Sequence, residues 1–290
     1  MNRPTFSERC FDLANGLFLI LMMIVTIYPL IYVALASISD ASQLMAFTGL
    51  LWKPLGFSLD AYANVFANPM ILKGYGNTLF VVVVGLAFNI LLTSLGAYSL
   101  SRKSLMYRKP ILLFIVFTMF FSGGLIPFYL TVKGVGLANT LWALIIPQAI
   151  NTFNLILMKT AFESIPDALE ESAKIDGAND FVILFRIVLP LSMPVIAVML
   201  LYYGVSHWNS WFHALIFLQD RSMYPLQLIL REILLQGEAN STGASDTDMV
   251  MLAVTLKYAT IIVATVPILC VYPFLQKYFV KGALIGAIKG

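Results

Sequence analysis

Long uncharged apolar runs dominate the pattern of this chain. A membrane-spanning helix needs about 20 consecutive, mostly apolar residues, and six stretches meet that requirement. They are Leu13–Ser39, Gly74–Ser101, Pro110–Val132, Gly134–Met158, Ile187–Gln219 and Met249–Gln276, the last of which is interrupted only by Lys257. We expect a tight turn at Lys133-Gly134 between the third and the fourth. The pattern predicts an all-α membrane protein with about six transmembrane helices, forming a single domain over residues 1–290.

The composition agrees with lipid as the solvent of much of the chain. Of its 290 residues, 60% are hydrophobic and 11% are charged, against about 25% charged in soluble domains. The small net charge of +3, without a basic block, gives no indication of a nucleic-acid partner. The two cysteines and two histidines lack the ligand spacing of a structural zinc site. Cys10 and Cys270 should lie at different depths, so no disulfide is expected.

The first apolar run resembles a secretory signal peptide only superficially. Arg3 and Arg9 precede it, and Ala34-Leu35-Ala36 looks like a cleavage site. However, the run from Leu13 to Ser39 is uncharged for 27 residues, far beyond the roughly 7–15 residues of a signal sequence. We therefore expect a retained first membrane helix.

The lysines and arginines predict the orientation, because they concentrate on the cytoplasmic side of membrane proteins. With a cytoplasmic N-terminus, 12 of the 18 basic residues fall on the inner side and 6 on the outer. The densest group, in the loop Ser101–Pro110, comprises Arg102, Lys103, Arg108 and Lys109. Both termini are therefore predicted to be cytoplasmic.

Two predicted outer segments are long, Asp40–Lys73 and Asp220–Asp248. They are either interfacial linkers or a docking surface for an external partner, and the sequence leaves both interpretations open.

The inner loop Lys159–Pro190 is much longer than an ordinary connection of a few residues. It is predicted to form two short helices, the first starting at a capping box, Ser164-Ile165-Pro166-Asp167. Gly177 would supply the left-handed residue that ends it, and Asn179 or Asp180 would cap the next helix. The first helix is acidic, which disfavours lying on a negatively charged membrane surface. We therefore favour a protein-docking element over an amphipathic surface helix.

The same loop carries a spaced motif. Glu171-Ser172-Ala173 is followed after three residues by Gly177, and after nine more by Ile187-Val188-Leu189-Pro190. This arrangement resembles the EAA loop of ABC importer membrane subunits over twenty residues, with Ser172 as its single, small-for-small departure. The rest of the chain resembles the sugar-importing branch, in particular the smaller maltose-type permease subunit and the permeases for complex oligosaccharides and polysaccharide fragments.

The resemblance implies a type I ABC importer permease fold in a bacterial cytoplasmic membrane. It implies as partners a second permease, two ATPase subunits that bind ATP and Mg, and an extracytoplasmic binding protein that delivers a carbohydrate. Glu171 would contact the ATPase, Ala173 would pack in its cleft, and Gly177 would form the turn. The implied coupling residues are Glu171, Ser172, Ala173, Gly177, Ile187, Leu189 and Pro190. In the tail 277–290, Lys281, Gly282, Gly286, Lys289 and Gly290 would contact the ATPase.

The sequence itself contains no G-x-x-x-x-G-K-[ST] phosphate loop. We therefore expect a non-catalytic subunit without a cofactor of its own, and ATP hydrolysis in another chain. His207 and His213 are six residues apart and do not share a helical face, which argues against a catalytic site.

Polar residues within the predicted spans are candidates for the substrate path, since such residues are costly in lipid and often line one. The candidates are Gln148, Asn151, Asn154, Tyr203, His207, Trp208 and Asn209, and the second span adds Asn89, Thr93 and Ser94. The alternative is that they form hydrogen bonds between helices or, for tryptophan, an interfacial belt.

Two other classes of function are less consistent with the sequence than an importer subunit. An ion-coupled secondary sugar transporter usually has acidic residues within its spans, whereas all 15 acidic residues here fall in predicted arms or loops. A structural or assembly protein does not account for the spaced motif.

Overall fold

The computed structural model describes residues 6–243, 254–271 and 273, which are helices and the connections between them, without a strand in these ranges. The α-helices are α1 Phe6–Ser37, α2 Ala41–Ala46, α3 Asp60–Ala67, α4 Pro69–Ser101, α5 Arg108–Phe120, α6 Leu125–Gly134, α7 Thr152–Glu163, α8 Asp167–Ile175, α9 Asp180–Ile183, α10 Leu189–Leu191, α11 Met193–Trp208, α12 Trp211–Phe217, α13 Leu226–Gly243 and α14 Val254–Val271. 3-10 helices occur at Leu141–Leu144, Ile146–Gln148 and Arg221–Met223, and a π-helix at Leu184–Val188. The prediction of an all-α membrane protein is confirmed for the described residues.

Three of the described helices are long and apolar enough to cross a membrane without a bend: α1 with 32 residues, α4 with 33 and α14 with 18. At 1.5 Å per residue, α1 is about 48 Å long, more than the roughly 30 Å of a bilayer's hydrocarbon core. None of the residues in its most apolar window is buried within the chain. Lipid-facing side chains are the natural explanation, because water would oppose such exposure.

Three further candidate spans are bent pairs of helices. The bends measure 115° between α5 and α6, 48° between Leu141–Gln148 and α7, and 86° between Asp180–Leu191 and α11. The described residues therefore hold three to six spans, depending on whether each pair crosses the membrane. The predicted count of about six is the upper end of that range.

The third predicted span, Pro110–Val132, was expected to be one helix, and this expectation is wrong. The helix stops at Phe120 and restarts at Leu125, and the connection ends at Gly124 with φ +85°. A left-handed residue cannot continue a right-handed helix. The turn after α6 also differs from the prediction at Lys133-Gly134, because the left-handed residue is Gly136, with φ +76°.

The chain divides into two compact units, Met1–Pro69 with Glu232–Val266, and Met70–Arg231 with Pro267–Gly290. The first unit has a small apolar cluster around Ala36, Leu44 and Leu51. The second has the larger core, in which Met158, Phe162, Ile183 and Leu184 are fully buried. The sites described below lie entirely in the second unit. The prediction of one domain stays a prediction.

Candidate functional site

The candidate span that contains Pro147 is broken in its middle. Leu141–Gln148 and α7 meet at 48° around Ala149, Ile150 and Asn151. A break of this kind releases backbone carbonyl and N–H groups from the helical hydrogen-bond ladder, and in a membrane each must find another partner. The predicted polar residues are positioned to provide those partners.

The side chain of Asn89 in α4 forms hydrogen bonds with the backbone carbonyl groups at the break. Its Nδ2 donates hydrogen bonds to the carbonyl oxygens of Gln148, at 2.7 Å, and Ala149, at 2.9 Å. Asn89 is fully buried, so both bonds form away from solvent. Such bonds allow a non-helical backbone to exist at membrane depth, because they replace the missing helical hydrogen bonds.

On the other side of the break, the side chains of Tyr203 in α11 and of Asn151 accept hydrogen bonds from backbone N–H groups. The backbone N–H of Asn151 donates to the Tyr203 hydroxyl at 2.9 Å, and this hydroxyl also pairs with Thr93 Oγ1 at 2.8 Å. The Asn151 side chain accepts from the Asn154 N–H at 3.1 Å and thereby caps the start of α7. The broken helix is thus tied to both α4 and α11.

His207 extends this network by one bond. Its Nε2 lies 2.7 Å from Asn89 Oδ1. Because Nδ2 of Asn89 already donates to two carbonyls, its other amide atom must be the oxygen, and Nε2 of His207 must be the donor. In the neutral ring Nδ1 is then an acceptor. That atom is buried and has no hydrogen-bond partner among the residues that the structure describes.

A cavity of about 390 Å³ opens beside the break, within the roughly 300–1,000 Å³ range of ligand pockets. The lining residues are Pro147, Gln148, Ile150, Asn151, Phe153, Asn154, Tyr202, Tyr203, Ser206 and His207. Amide, hydroxyl and imidazole groups lie beside the aromatic rings of Phe153 and Tyr202, which are about half exposed. The lining contains no aspartate, glutamate, lysine or arginine. We call this space the polar cavity.

Five of the seven predicted path residues line the polar cavity: Gln148, Asn151, Asn154, Tyr203 and His207. The other two do not. Trp208 instead lines a separate apolar cavity of about 570 Å³ beside Tyr75 and Leu79. Asn209 follows α11 and donates a side-chain hydrogen bond back to the Val205 carbonyl at 3.0 Å. The interhelical alternative also holds for Tyr203 and His207, which form bonds between helices as well as lining the cavity.

Sequence reasoning missed Phe153, Ile150 and Pro147 in the lining, because an apolar residue in an apolar run carries no signal. It also missed Gly85 of α4. A Cβ atom at this position would lie 2.6 Å from His207 Nε2, closer than real contacts allow. The small residue therefore lets the imidazole approach the α4 backbone.

The second candidate site is the loop segment 159–190, which we call the coupling segment. Its first helix, α8, starts after Pro166, whose backbone takes the N-cap position without a side-chain hydrogen bond. The predicted capping box is therefore wrong, and the Ser164 hydroxyl donates to the Ala161 carbonyl instead. Gly177 has φ +81° and Asn179 caps α9 through the Val182 N–H. These two predictions are confirmed.

The two faces of α8 differ sharply. Glu170 and Ala173 are buried, and Ala173 belongs to the chain's own core cluster. Glu171, Ser172 and Ile175 are exposed, and Ile175 is 86% accessible. The side chain of Ala173 packs inside the chain, and the role that the resemblance implies for it, packing in a partner's cleft, stays a prediction. Ile175, Glu171 and Ser172 form the free face of α8.

The last part of the motif builds the entry to α11. Ile187 and Leu189 pack against the core cluster that contains Val188, and Pro190 lies in the short α10. The chain then bends by 86°. Ile187 and Leu189 therefore position the coupling segment relative to α11, whereas Pro190 is exposed. The tail residues Lys281, Gly282, Gly286, Lys289 and Gly290 lie outside the described residues.

The fold and the two sites define a polytopic helical membrane protein with an uncharged polar cavity and a separate exposed helix in a long loop. No protein-family model matches the chain. It is 45% identical over 288 residues to the polygalacturonan/rhamnogalacturonan transport system permease protein YtcP of Bacillus subtilis, with 98% of this chain and 99% of that protein covered.

Two solved structures agree with this similarity. A chain of a bacterial ABC transporter involved in the import of the acidic polysaccharide alginate superposes with a TM-score of 0.87 and 32% identity, covering 96% of this chain and all (100%) of that one. A chain of a bacterial alginate ABC transporter in complex with an alginate pentasaccharide-bound periplasmic protein gives 0.56 and 19%, covering 94% and 96%, a likeness of fold. This chain belongs to the permease subunits of ABC carbohydrate importers.

Proposed function

We propose that the chain forms one half of the translocation pathway of an ATP-driven importer, and that the polar cavity is where this half contacts the passing carbohydrate. The observation that carries the proposal is the cavity lining, which combines hydrogen-bonding groups with the exposed rings of Phe153 and Tyr202. Sugar rings present hydroxyl groups at their edges and apolar C–H groups on their faces. Both kinds of surface meet complementary groups here.

The cargo we propose is an oligosaccharide fragment of an acidic polysaccharide, such as an oligogalacturonide. The names of the similar proteins favour this class. The polar cavity has no lysine or arginine in its lining, and an unpaired carboxylate is costly in such surroundings. We therefore assign the cavity to the ring hydroxyls, and expect the counter-charges for any carboxylates on other chains of the importer.

The partners we propose are a second permease subunit, two ATPase subunits and an extracytoplasmic binding protein. The free face of α8 supports a protein partner at the coupling segment, since Ile175 is a large apolar side chain at 86% exposure beside the exposed Glu171. ATP and Mg would be bound by the ATPase chains, in keeping with the lack of a phosphate loop in this sequence. The subunit itself would be non-catalytic.

The orientation we propose has both termini and the coupling segment in the cytoplasm of a bacterial cell, with α1 and α4 in the cytoplasmic membrane. The 12-to-6 distribution of basic residues supports it. In this orientation α8 would lie in the cytoplasm, where ATP is available to an ATPase subunit. Membership in the ABC permeases favours this mechanism over an ion-coupled carrier that works alone.

The experiment is purification of the tagged chain from its native membrane in a mild detergent. We expect a second permease and an ATPase chain to co-purify, and the preparation to hydrolyse ATP. A chain that purifies alone, and that transports sugar in liposomes on an ion gradient without ATP, would overturn the proposal.

A further inference from the structure

The loop Ser101–Pro110, counted above only as an orientation signal, makes ion pairs along the coupling segment. We call it the basic loop. Arg108 pairs with Glu163, Lys103 with Asp167, and Arg102 with Glu170. Three of its basic residues thus meet three acidic residues that lie at the end of α7 and along α8. An orientation signal alone does not require this pairing.

The Arg102–Glu170 pair is the buried member of this set. The two side chains are 16% and 9% exposed. The guanidinium also lies 4.7 Å over the Tyr98 ring, and its Nε donates to Ser101 Oγ at 3.0 Å. A buried pair with additional hydrogen bonds has a fixed geometry, and removing either partner leaves the other charge uncompensated.

The other two pairs are more accessible. In the Lys103–Asp167 pair the side chains are 81% and 59% exposed, and Lys103 holds the pKa of Asp167 below its ordinary value. Such a surface pair contributes little to stability. Arg108 has a second role, because its Nε donates to the carbonyl of Leu100 at 2.7 Å and closes the end of α4. Arg102–Glu170 is therefore the contact in which α8 is held most firmly.

Helix α4 continues without a break from this contact to the polar cavity. Arg102 directly follows its last residue, and Asn89 lies 13 positions earlier, about 20 Å along the axis at 1.5 Å per residue. Asn89 and Thr93 hold the broken helix and Tyr203. If α8 moved and carried Arg102 with it, α4 would move as well, and the residues that line the polar cavity would shift.

We propose that Arg102 and Glu170 form a mechanical link that transmits the movement of α8 to α4 and so to the polar cavity. The proposal rests on the proposed function, since it assumes an ATPase that moves α8. Both residues are positioning residues: neither lines the polar cavity, and Glu170 lies on the buried face of α8, opposite Ile175.

The test uses the purified importer complex in nanodiscs, with the sugar-loaded binding protein added. The variants are Arg102→Glu, Glu170→Arg, the double exchange of both, and Glu170→Gln, which keeps the shape of the side chain. Lys103→Glu, in the exposed pair, is the matched control. The measured quantities are co-purification of the ATPase, basal ATP hydrolysis, and stimulation of hydrolysis by the binding protein.

We expect the single charge reversals and Glu170→Gln to keep the ATPase bound and basal hydrolysis unchanged, while stimulation falls by about tenfold, a usual size for coupling between sites. The double exchange should recover most of the stimulation, and Lys103→Glu should retain it. Should the charge reversals fail to fold, Glu170→Gln alone decides: lost stimulation supports the link, and retained stimulation overturns it.

Three other results overturn the link: unchanged stimulation in the reversals, loss of stimulation that the double exchange does not restore, and loss of ATPase binding in the single variants. The last would mean that the pair only shapes the docking surface. The wild-type complex separates this proposal from the proposed function. A wild-type complex without stimulation contradicts the proposed function, whereas normal wild-type stimulation with unaffected variants contradicts the link alone.

Discussion

The imidazole of His207 lies directly against the backbone of α4 at Gly85, where a Cβ atom would stand 2.6 Å from Nε2. The contact allows His207 to donate a hydrogen bond to Asn89. Asn89 in turn donates hydrogen bonds to the carbonyl groups of the broken helix. A glycine thus controls a polar network in the wall of the cavity.

Replacing Gly85 with alanine should displace His207 and break its bond to Asn89. We expect reduced sugar uptake and a lower unfolding temperature in detergent, because a buried polar group is left unpaired at a cost of about 1–3 kcal/mol. Gly76→Ala on the same helix is the control. Nothing lies within 4 Å of a Cβ there, and alanine should stabilise the helix by about 0.5–1 kcal/mol. Equal behaviour of the two variants would refute the network.

Asn89→Leu should be more damaging than Gly85→Ala. Leucine has a similar size but leaves the carbonyls of Gln148 and Ala149 without their side-chain donor, at about 1–3 kcal/mol for each group. The variant should unfold at a lower temperature and show a reduced rate of uptake. Asn209→Ala, which loses only an exposed bond to its own helix, is the control. A normal unfolding temperature for Asn89→Leu would contradict the role assigned to Asn89.

On the free face of α8, Ile175→Asp should weaken retention of the ATPase without destabilising the subunit, since Ile175 is 86% exposed. The amount of ATPase that co-purifies with the subunit, measured over a range of subunit concentrations, reports the loss of retention. Ala173→Arg is the contrast, because it places a charge in the chain's own core and should lower the unfolding temperature itself. Full retention of the ATPase by Ile175→Asp would exclude this face as the docking surface.

Accessibility to a membrane-impermeant thiol reagent tests the orientation. A cysteine at Ser104, in the basic loop, should react only in opened cells, and one at Lys53 should react in intact cells. Lys53 is preferable to Gly56 for this purpose, because Gly56 has φ +64° and a Cβ there would lie 3.0 Å from Gln43. A background in which Cys10 and Cys270 are replaced by serine is needed, since both carry exposed free thiols. Labelling of the cysteine at position 104 in intact cells would contradict the predicted topology.

The sequence predicted the parts of this fold that local chemistry controls. Apolar length marked the spans, and the left-handed Gly177 and the cap at Asn179 followed from their residue types. The breaks were not predicted, because a membrane helix tolerates Pro147 or Gly124 when neighbours satisfy the backbone, and those neighbours are remote in sequence. Asn89 and Gln148 are 59 residues apart.

The coupling segment shows the same division. Its motif could be found by spacing, but which side of α8 is free depends on the basic loop and on the core around Phe162 and Leu184. The resemblance therefore pointed to Ala173, whereas the tertiary packing leaves Ile175 exposed.

Uptake of a labelled oligogalacturonide into proteoliposomes tests the central claim most directly. The vesicles would contain this chain with its co-purifying permease and ATPase, with ATP and Mg on the ATPase side and the loaded binding protein on the other. The account predicts uptake that requires ATP hydrolysis and persists when ionophores collapse every ion gradient. Uptake that proceeds with this chain alone, without ATP, and that stops on addition of ionophore would contradict it.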